Sequence, residues 1–420
     1  MIRTWDSTSI AFRQFVGSHR APVILQVLPA LNSGGVEQGV IDLNAAIVKA
    51  GGQSIVVSSG GSRMHEIAKG GGTHIQMPAH SKNPLTLAAN IRRLRKVIRE
   101  YSVDVVHACS RAPAWSASRA VQGTGARLVT SCHAAHSLGG VLKRLYNSSI
   151  AKGERVIAVS HFLADYLEQN YKTDPNIIRV IHRGVAIEKF HPNSVTPERL
   201  IRLSKEMRIP EGAAVILVPG RLSRVKGHMF LLDALEKLQR KDVFCLFLGS
   251  DDGNENYRRE LDSYIASKEL GAQVRIVPGC DDMPAAYMMA TVVAAPSLAP
   301  EGFGRVPVEA QAMGRPIVAT DHGGMRETII RDETGWLVEP GNAAELATAL
   351  QEALSLDARN RAALATRAMS HVAAHFTNEQ MCQGTLDVYA ELLQAAGVKA
   401  TPSNDAVADE TLRAAKVAAE

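Results

Sequence analysis

The chain has 420 residues, room for two or three domains at roughly 150 residues each, and its 46% hydrophobic content supports sizeable cores, so a globally disordered chain is excluded. Lys and Arg total 47 against 42 Asp and Glu; the net charge of +5 is too thinly spread to argue for nucleic acid, yet it admits anionic ligands. Five cysteines (Cys109, Cys132, Cys245, Cys280 and Cys382) form no Cys-x-x-Cys pair and are odd in number, which points away from a disulfide framework or zinc cluster and towards a reducing cytoplasm.

No apolar run approaches the roughly 18 residues of a membrane span. No signal peptide is legible either, because Arg13 cuts short Ile10-Ala11-Phe12. Residues 1–20 read as a polar extension, with an Arg- and Ser-containing presequence as the rival for that stretch. Val23 to Leu28 is an apolar run of strand length; Asn32-Ser33-Gly34-Gly35 interrupts it, and Val36, Val40, Leu43 and Ile47 then recur at helical spacing up to Gly51-Gly52. Further strands are predicted at Ser54–Ser58, Asp104–Ala108, Arg127–Ser131 and Arg155–Ser160, with helical stretches such as Leu87–Tyr101 between them. Phe190-His191-Pro192 opens a polar stretch through Pro197, the predicted linker.

The alternation then restarts. Strands are predicted at Ala214–Pro219, Val243–Leu248, Val274–Val277, Thr291–Ala295 and Pro316–Ala319, with helices around Met229–Arg240, Tyr257–Lys268, Met283–Met289 and Pro307–Met313. Unbroken apolar strands alternating with helices make parallel sheets covered on both faces. The fold class is therefore α/β with two doubly wound domains, over 21–192 and 193–375. Ala344–Leu354 and Asn378–Gln394 read as terminal helices, the second within a closing segment 376–397, and the Ala-rich, polar tail 398–420 is expected to be disordered.

Ligands of doubly wound sheets collect at the carboxyl ends of strands. Gly34-Gly35 opens a helix just after the first strand, where free N–H groups favour an anion, although a plain tight turn fits equally well. A dinucleotide site is disfavoured, because the second strand ends in Ser58-Ser59-Gly60-Gly61 without the acid that would hold a ribose. Pro219-Gly220-Arg221-Leu222-Ser223-Arg224-Val225-Lys226-Gly227 places Arg221, Arg224 and Lys226 after a strand, which suits a phosphate better than a merely solvated loop. In Glu301-Gly302-Phe303-Gly304-Arg305-Val306-Pro307-Val308-Glu309, the glycines permit close backbone approach, and a helix N-terminus aims at an anion between two carboxylates. Eight helical residues span about 12 Å, whereas a glycosidase pair needs roughly 5 to 9.5 Å; carboxylates that bind sugar hydroxyls fit better. Asp321-His322-Gly323-Gly324-Met325-Arg326-Glu327 is a third glycine loop after a strand. His133, at the end of its strand, is a candidate whose alternative is a structural histidine, as for His107 and His136.

Taken together, Gly34-Gly35-Val36-Glu37, Gly220-Arg221 with Lys226-Gly227, and Glu301 with Glu309 give a chain that closely resembles the family 4 retaining glycosyltransferases over roughly residues 22 to 395. The resemblance implies the GT-B fold, two Rossmann-like domains facing across a cleft with the nucleotide-sugar donor held mainly by the second, and a terminal helix crossing back to the first. It assigns Arg221 and Lys226 to the donor diphosphate and Glu309 to the ribose hydroxyls. Glu301 would face the donor sugar, with N–H groups near Gly302, Phe303 and Gly304. His133 would stand near the sugar and Gly34-Gly35 by the phosphate and acceptor. No Asp-x-Asp motif is present, and the cationic pair Arg221 and Lys226 would make a metal or other cofactor unnecessary for a UDP- or GDP-linked donor. Ile181-His182-Arg183-Gly184 departs from the commoner Pro-Asn-Gly version, which puts a role for Arg183 in doubt.

The Gly34 to Gly61 stretch looks like bacterial transferases of lipopolysaccharide core or other surface glycans. A retaining hexosyltransferase acting on a glycan or lipid-linked acceptor in the cytoplasm is expected, with peripheral contact to anionic membrane through Ile91-Arg92-Arg93-Leu94-Arg95-Lys96-Val97-Ile98-Arg99. A solvated helix face is the plainer reading of those cations. The rivals are a nucleotide-sugar epimerase on the same scaffold and a two-domain solute-binding protein.

Overall fold

The computed structural model describes residues 10–16, 20–32, 34–251 and 253–397. The chain divides into two compact units, the first comprising residues up to Val159, Ala164–Ile181 and everything from Glu379, the second Ser160–Leu163 and His182–Asn378.

The first unit is built on a seven-stranded sheet of β1 (Val23–Val27), β2 (Gln53–Ser58), β3 (Thr73–Gln76), β4 (Val105–Ala108), β5 (Arg127–Cys132), β6 (Arg155–Ala158) and β7 (Ile178–Val180), in the order β3-β2-β1-β4-β5-β6-β7. All pairs are parallel; β1 faces β2 with Val23 opposite Gln53, and β4 with Ile24 opposite Val105. Every residue of β1 and β4 is buried, as expected of β-branched strands covered on both faces.

The expected polar extension over 1–20 needs correction where it is described. Residues Ile10–Arg13 form a helical turn, and Phe12 (0% exposed) and Phe15 (4%) enter the core with Ile24, Leu43, Ile47, Val105 and Val129. Two phenylalanines outweigh the polar residues around them, because burying each aromatic ring contributes about 1.5–3 kcal/mol. Residues 1–9 and 17–19, and the expected tail 398–420, lie outside the described residues.

The helix Asn378–Ala395 belongs to this same core, lending Met381, Leu386, Tyr389 and Leu393. Tyr389 Oη lies 2.6 Å from His107 Nδ1, and His107 Nε2 lies 2.5 Å from Ser131 Oγ. That makes His107 a structural histidine joining β4, β5 and the last helix. Tyr389→Phe removes one buried hydrogen bond and is expected to cost about 1–2 kcal/mol of stability, read from the urea unfolding midpoint; an unchanged midpoint would contradict this role.

The second unit holds β8 (Ala214–Pro219), β9 (Val243–Leu248), β10 (Val274–Val277), β11 (Val292–Ala295), β12 (Ile317–Thr320) and β13 (Trp336–Val338) in a six-stranded parallel sheet ordered β10-β9-β8-β11-β12-β13. Its core packs Ile216, Val218, Phe247, Val292 and Val318 against helices carrying Leu231, Leu261, Leu346 and Leu350.

The chain passes from the first unit to the second at Ile181, ahead of the boundary expected at Pro192. The stretch read as a linker is instead structured. Pro192–Ser194 form a 3₁₀ turn and Pro197–Glu206 a helix, pinned by Arg199, which grips Asp282 through Nε (2.8 Å) and Nη2 (2.5 Å). A two-point guanidinium–carboxylate bond anchors a polar helix that has little apolar surface to bury.

Candidate functional site

The strand order of the second sheet reverses between β8 and β11, and the loops leaving the carboxyl ends of these neighbours are the expected ligand-binding position of such a sheet. The two loops meet closely. Leu298 N–H donates to the Val225 carbonyl at 2.7 Å. Gly227 sits at φ 70°, and a Cβ there would stand 1.9 Å from the Pro296 carbonyl oxygen, so glycine is required on both counts.

This contact brings together Lys226 and Glu301, which are distant in sequence. Lys226 ends the 3₁₀ turn Arg224–Lys226, and its Nζ donates to Glu301 Oε1 at 2.7 Å, with the side chains 27% and 23% exposed. Ser297 Oγ donates to the same oxygen, and His322 Nε2 lies 2.7 Å from the Ser297 carbonyl. Burial alone would raise the Glu301 carboxyl; the charge and hydrogen bond of Lys226, then Ser297 and His322, hold it below the usual carboxylate range. The Glu301 group is therefore anionic at neutral pH. Arg221, from the loop that carries Lys226, is exposed.

Gly304, at φ 89°, caps the helix Arg305–Ala312, whose first-turn N–H groups are the anion-binding end. One turn on, Glu309 is 13% exposed and accepts two bonds, from Tyr287 Oη to Oε2 at 2.7 Å and from Arg305 Nη2 to Oε1 at 2.9 Å. Tyr287 is fully buried, and burial followed by the Glu309 charge pushes its phenol well above the ordinary range, so it remains a donor. Each Glu309 oxygen keeps lone-pair capacity for a ligand hydroxyl.

The remaining expected residues of this unit divide by atom. The Phe303 ring is buried, 5.8 Å from the His182 ring and 5.7 Å from Phe376, so its side chain packs and only its backbone is available to a ligand. The Gly302 carbonyl accepts from Ser160 Oγ at 2.6 Å. The third glycine loop backs this one, with Gly324 N–H donating to the Glu301 carbonyl at 2.9 Å. Tyr287, Ser297, Arg305 and His322 were not singled out from the sequence, though Arg305 and Glu309, one turn apart at i,i+4, are a readable pair.

His133, Gly34 and Gly35 belong to the first unit. His133 is half-buried directly after β5. Gly35 begins the helix Gly35–Lys49, and a Cβ on Gly34 would lie 2.2 Å from Glu37 Oε2. The Glu37 carboxylate thus lies over the helix start, where the sequence suggested a free anion site. An incoming anion must move it.

Among the described residues, one group of side chains could together hold a metal: His161, His182 and Glu327, in the second unit. Glu327, however, accepts the His161 and Phe162 backbone N–H groups at 2.8 Å each and lies 2.9 Å from His182 Nε2, the arrangement of a helix-capping acid. The positive end of the helix at His161 also opposes a cation there.

Two family patterns match the chain, one described as Glycosyltransferase Family 4 over residues 33–189 and one as Glycosyl transferases group 1 over 201–370. The solved structure of a glycosyltransferase from Rickettsia africae ESF-5 is 36% identical, with a TM-score of 0.82 over 89% of this chain and 99% of that one. Anabaena Alr3699/HepE, solved in complex with UDP-glucose, is 23% identical, with a TM-score of 0.76 over 89% of this chain and 99% of that one, a likeness of fold alone. A D-inositol 3-phosphate glycosyltransferase of Salinispora arenicola is 32% identical over 259 residues, 59% of this chain and 57% of that enzyme. This match therefore spans little more than half the length of that relative.

Proposed function

The chain belongs to the family 4 glycosyltransferases, and from that premise we propose that it transfers a sugar from a UDP- or GDP-linked donor to a glycan or lipid-linked acceptor, with retention of anomeric configuration. The observation that carries this reading is the Lys226–Glu301 pair beside the helix start at Gly304. A diphosphate at that helix start would meet backbone N–H groups, Lys226 and Arg221, which stabilise the charge of a departing nucleoside diphosphate without a metal. Glu309 would accept from the ribose hydroxyls through the lone pairs that Tyr287 and Arg305 leave open. Glu301 would face the donor sugar, together with the backbone at Gly302, Phe303 and Gly304.

The acceptor belongs to surface-glycan or lipopolysaccharide assembly, a reading supported by the Gly34–Gly61 stretch. The inositol-phosphate relatives favour a second class, a phosphorylated polyol, and both are assayed together. Free thiols at all five cysteines fit a cytoplasmic location. No helix among the described residues is long and apolar enough to cross a membrane.

Thermal stabilisation across a panel of nucleotide sugars identifies the donor, since a ligand at a hundred times its Kd stabilises by about 2.7 kcal/mol. Proton NMR of the product then reads the anomeric configuration. Inversion, a strict metal requirement, or isomerised sugar released without acceptor would each overturn the proposal, the last in favour of an epimerase. His133→Ala is expected to lower turnover at least about tenfold while leaving nucleotide affinity within about twofold, because the family resemblance puts this histidine by the sugar rather than the nucleotide. Full turnover in that variant would make His133 structural.

A further inference from the structure

The basic stretch 91–99 singled out in the sequence carries charge without an exposed large apolar side chain. Arg92, Arg93, Lys96 and Arg99 of Pro84–Glu100 are exposed, but the apolar residues between them, Leu94, Val97 and Ile98, are buried in the core. It is a solvated face. A different segment of the first unit combines both features. Val141, Leu142 and Leu145 are 85%, 83% and 61% exposed, with Leu138 at 38%. The other large exposed apolar side chains among the described residues are Leu85, Ile201, Ile330 and the neighbouring Val225 and Leu298 of the second unit.

The helix Val141–Asn147 presents these side chains outward because polar bonds, not apolar packing, hold it down. Asn147 is its buried residue and accepts from Arg111 Nη1 at 2.8 Å, while Arg144 Nη2 donates to the Asn170 carbonyl at 2.9 Å. Positions 141, 142 and 145 fall within about 100° of helix circumference. The helix follows β5, so it lies on the carboxyl edge of the sheet. Leu85, 82% exposed at the start of the helix that feeds β4, lies on that edge as well.

The surroundings are basic. From Ala134 to Gly153 there is no Asp or Glu, whereas Lys143, Arg144 and Lys152 are exposed. His136 beneath them is held down to about 4, by burial first and then by Arg111 and Lys143.

We propose that Leu138, Val141, Leu142 and Leu145 dock the first unit on an anionic lipid bilayer, the apolar side chains entering the acyl boundary while Lys143 and Arg144 meet headgroup phosphates. Charge decides the occupant. A second copy packed on the same face about a two-fold axis would set Lys143 and Arg144 against their own equivalents, which is repulsive, whereas an anionic bilayer complements them. The proposal deepens the reading of a lipid-linked acceptor, yet vesicle binding measures it without any transfer step.

The test is co-sedimentation of the full chain with phosphatidylglycerol-containing vesicles and with pure phosphatidylcholine vesicles. Binding is expected to the first only and to weaken with salt. The combined substitution Val141→Ser, Leu142→Ser, Leu145→Ser should lower it more than tenfold, as should the charge reversal Lys143→Glu with Arg144→Glu. Replacing Arg92, Arg93 and Lys96 by Gln should change it less than about threefold. Calorimetric titration with UDP should give the same affinity in the wild type and the two docking variants, and an unchanged urea unfolding midpoint of the first unit shows that the altered unit is folded. Failure of both UDP and GDP to bind any of them would count against the donor site and leave the docking result standing. The proposal falls if the wild type ignores anionic vesicles, if both docking variants bind like the wild type, or if sedimentation velocity shows a dimer that the serine variant abolishes.

Discussion

Lys226→Ala is expected to raise the barrier to sugar transfer by about 2 to 4 kcal/mol, a loss of some thirty- to a thousandfold in turnover, by analogy with removal of a fixed donor to a developing anion. The Lys226 ammonium is positioned before any donor arrives. It ends the turn that Gly227 closes and is held against Glu301 at 2.7 Å, so little reorganisation is needed as charge builds on the leaving phosphate. The variant also leaves Glu301 with Ser297 as its remaining hydrogen-bond donor among the contacts described. Burial is the largest influence on that carboxyl and acts upward, so without Lys226 its acid limb should move to higher pH. In the wild type the sign is opposite. A carboxyl held below its unfolded value adds stability above the ordinary carboxylate range, lost as pH falls through the folded value. Turnover, UDP affinity and the pH profile are measured together; wild-type turnover with an unmoved acid limb would remove Lys226 from the mechanism. Arg221→Lys should be impaired more mildly, because Lys cannot reproduce a two-point grip on phosphate.

Glu309→Gln is expected to weaken UDP binding about ten- to a hundredfold, worth roughly 1.4 to 2.7 kcal/mol. The wild-type carboxylate accepts from Tyr287 on one oxygen and Arg305 on the other. An amide must turn its NH₂ towards one of these donors, and it loses the charge that strengthens any bond from a ribose hydroxyl. Tyr287→Phe leaves the carboxylate in place without one of its two anchors and should cost only a few-fold. Unchanged UDP affinity in a folded Glu309→Gln protein would assign Glu309 to the internal support of its helix.

The alternation of strands and helices is legible because central strands of a doubly wound sheet are nearly continuous apolar runs; β8 and β9 are unbroken, and β1 and β4 are interrupted by a single polar residue each, Gln26 and His107. Of the edge strands, β10 is legible, whereas β3, β7 and β13 are not. β3 is Thr-His-Ile-Gln with no buried residue, and β7 is three residues of intermediate burial. One side of such strands faces no neighbour, and the apolar signal fades with it. The helix Ala358–His375 escapes for a similar reason, since its buried stripe is only Leu364, Ala368 and Val372. Within the site, glycines after strands mark Lys226, Glu301 and Glu309. Tyr287 and Ser297 leave no trace of this kind, because a buried tyrosine reads as core and its bond to Glu309 spans 22 residues of chain. The polar reading of 1–20 underestimated what two aromatic rings gain by burial.

The helix Asn378–Ala395 fixes an order of assembly during synthesis. Nearly all of the second unit is one uninterrupted stretch, His182–Asn378, so it can close as soon as it leaves the ribosome. The first unit cannot. Its core includes Tyr389, whose partner His107 precedes it by 282 residues. At translation speeds of about 5–20 residues per second, His107 waits roughly 14 to 56 s for Tyr389 on the helix that completes its core. Throughout that interval the groove for Met381, Leu386, Tyr389 and Leu393 is bare, and a nascent chain with such a groove is a natural client for chaperones that bind apolar surface. A chain ending before Glu379 would keep a closable second unit and a first unit that never finishes folding.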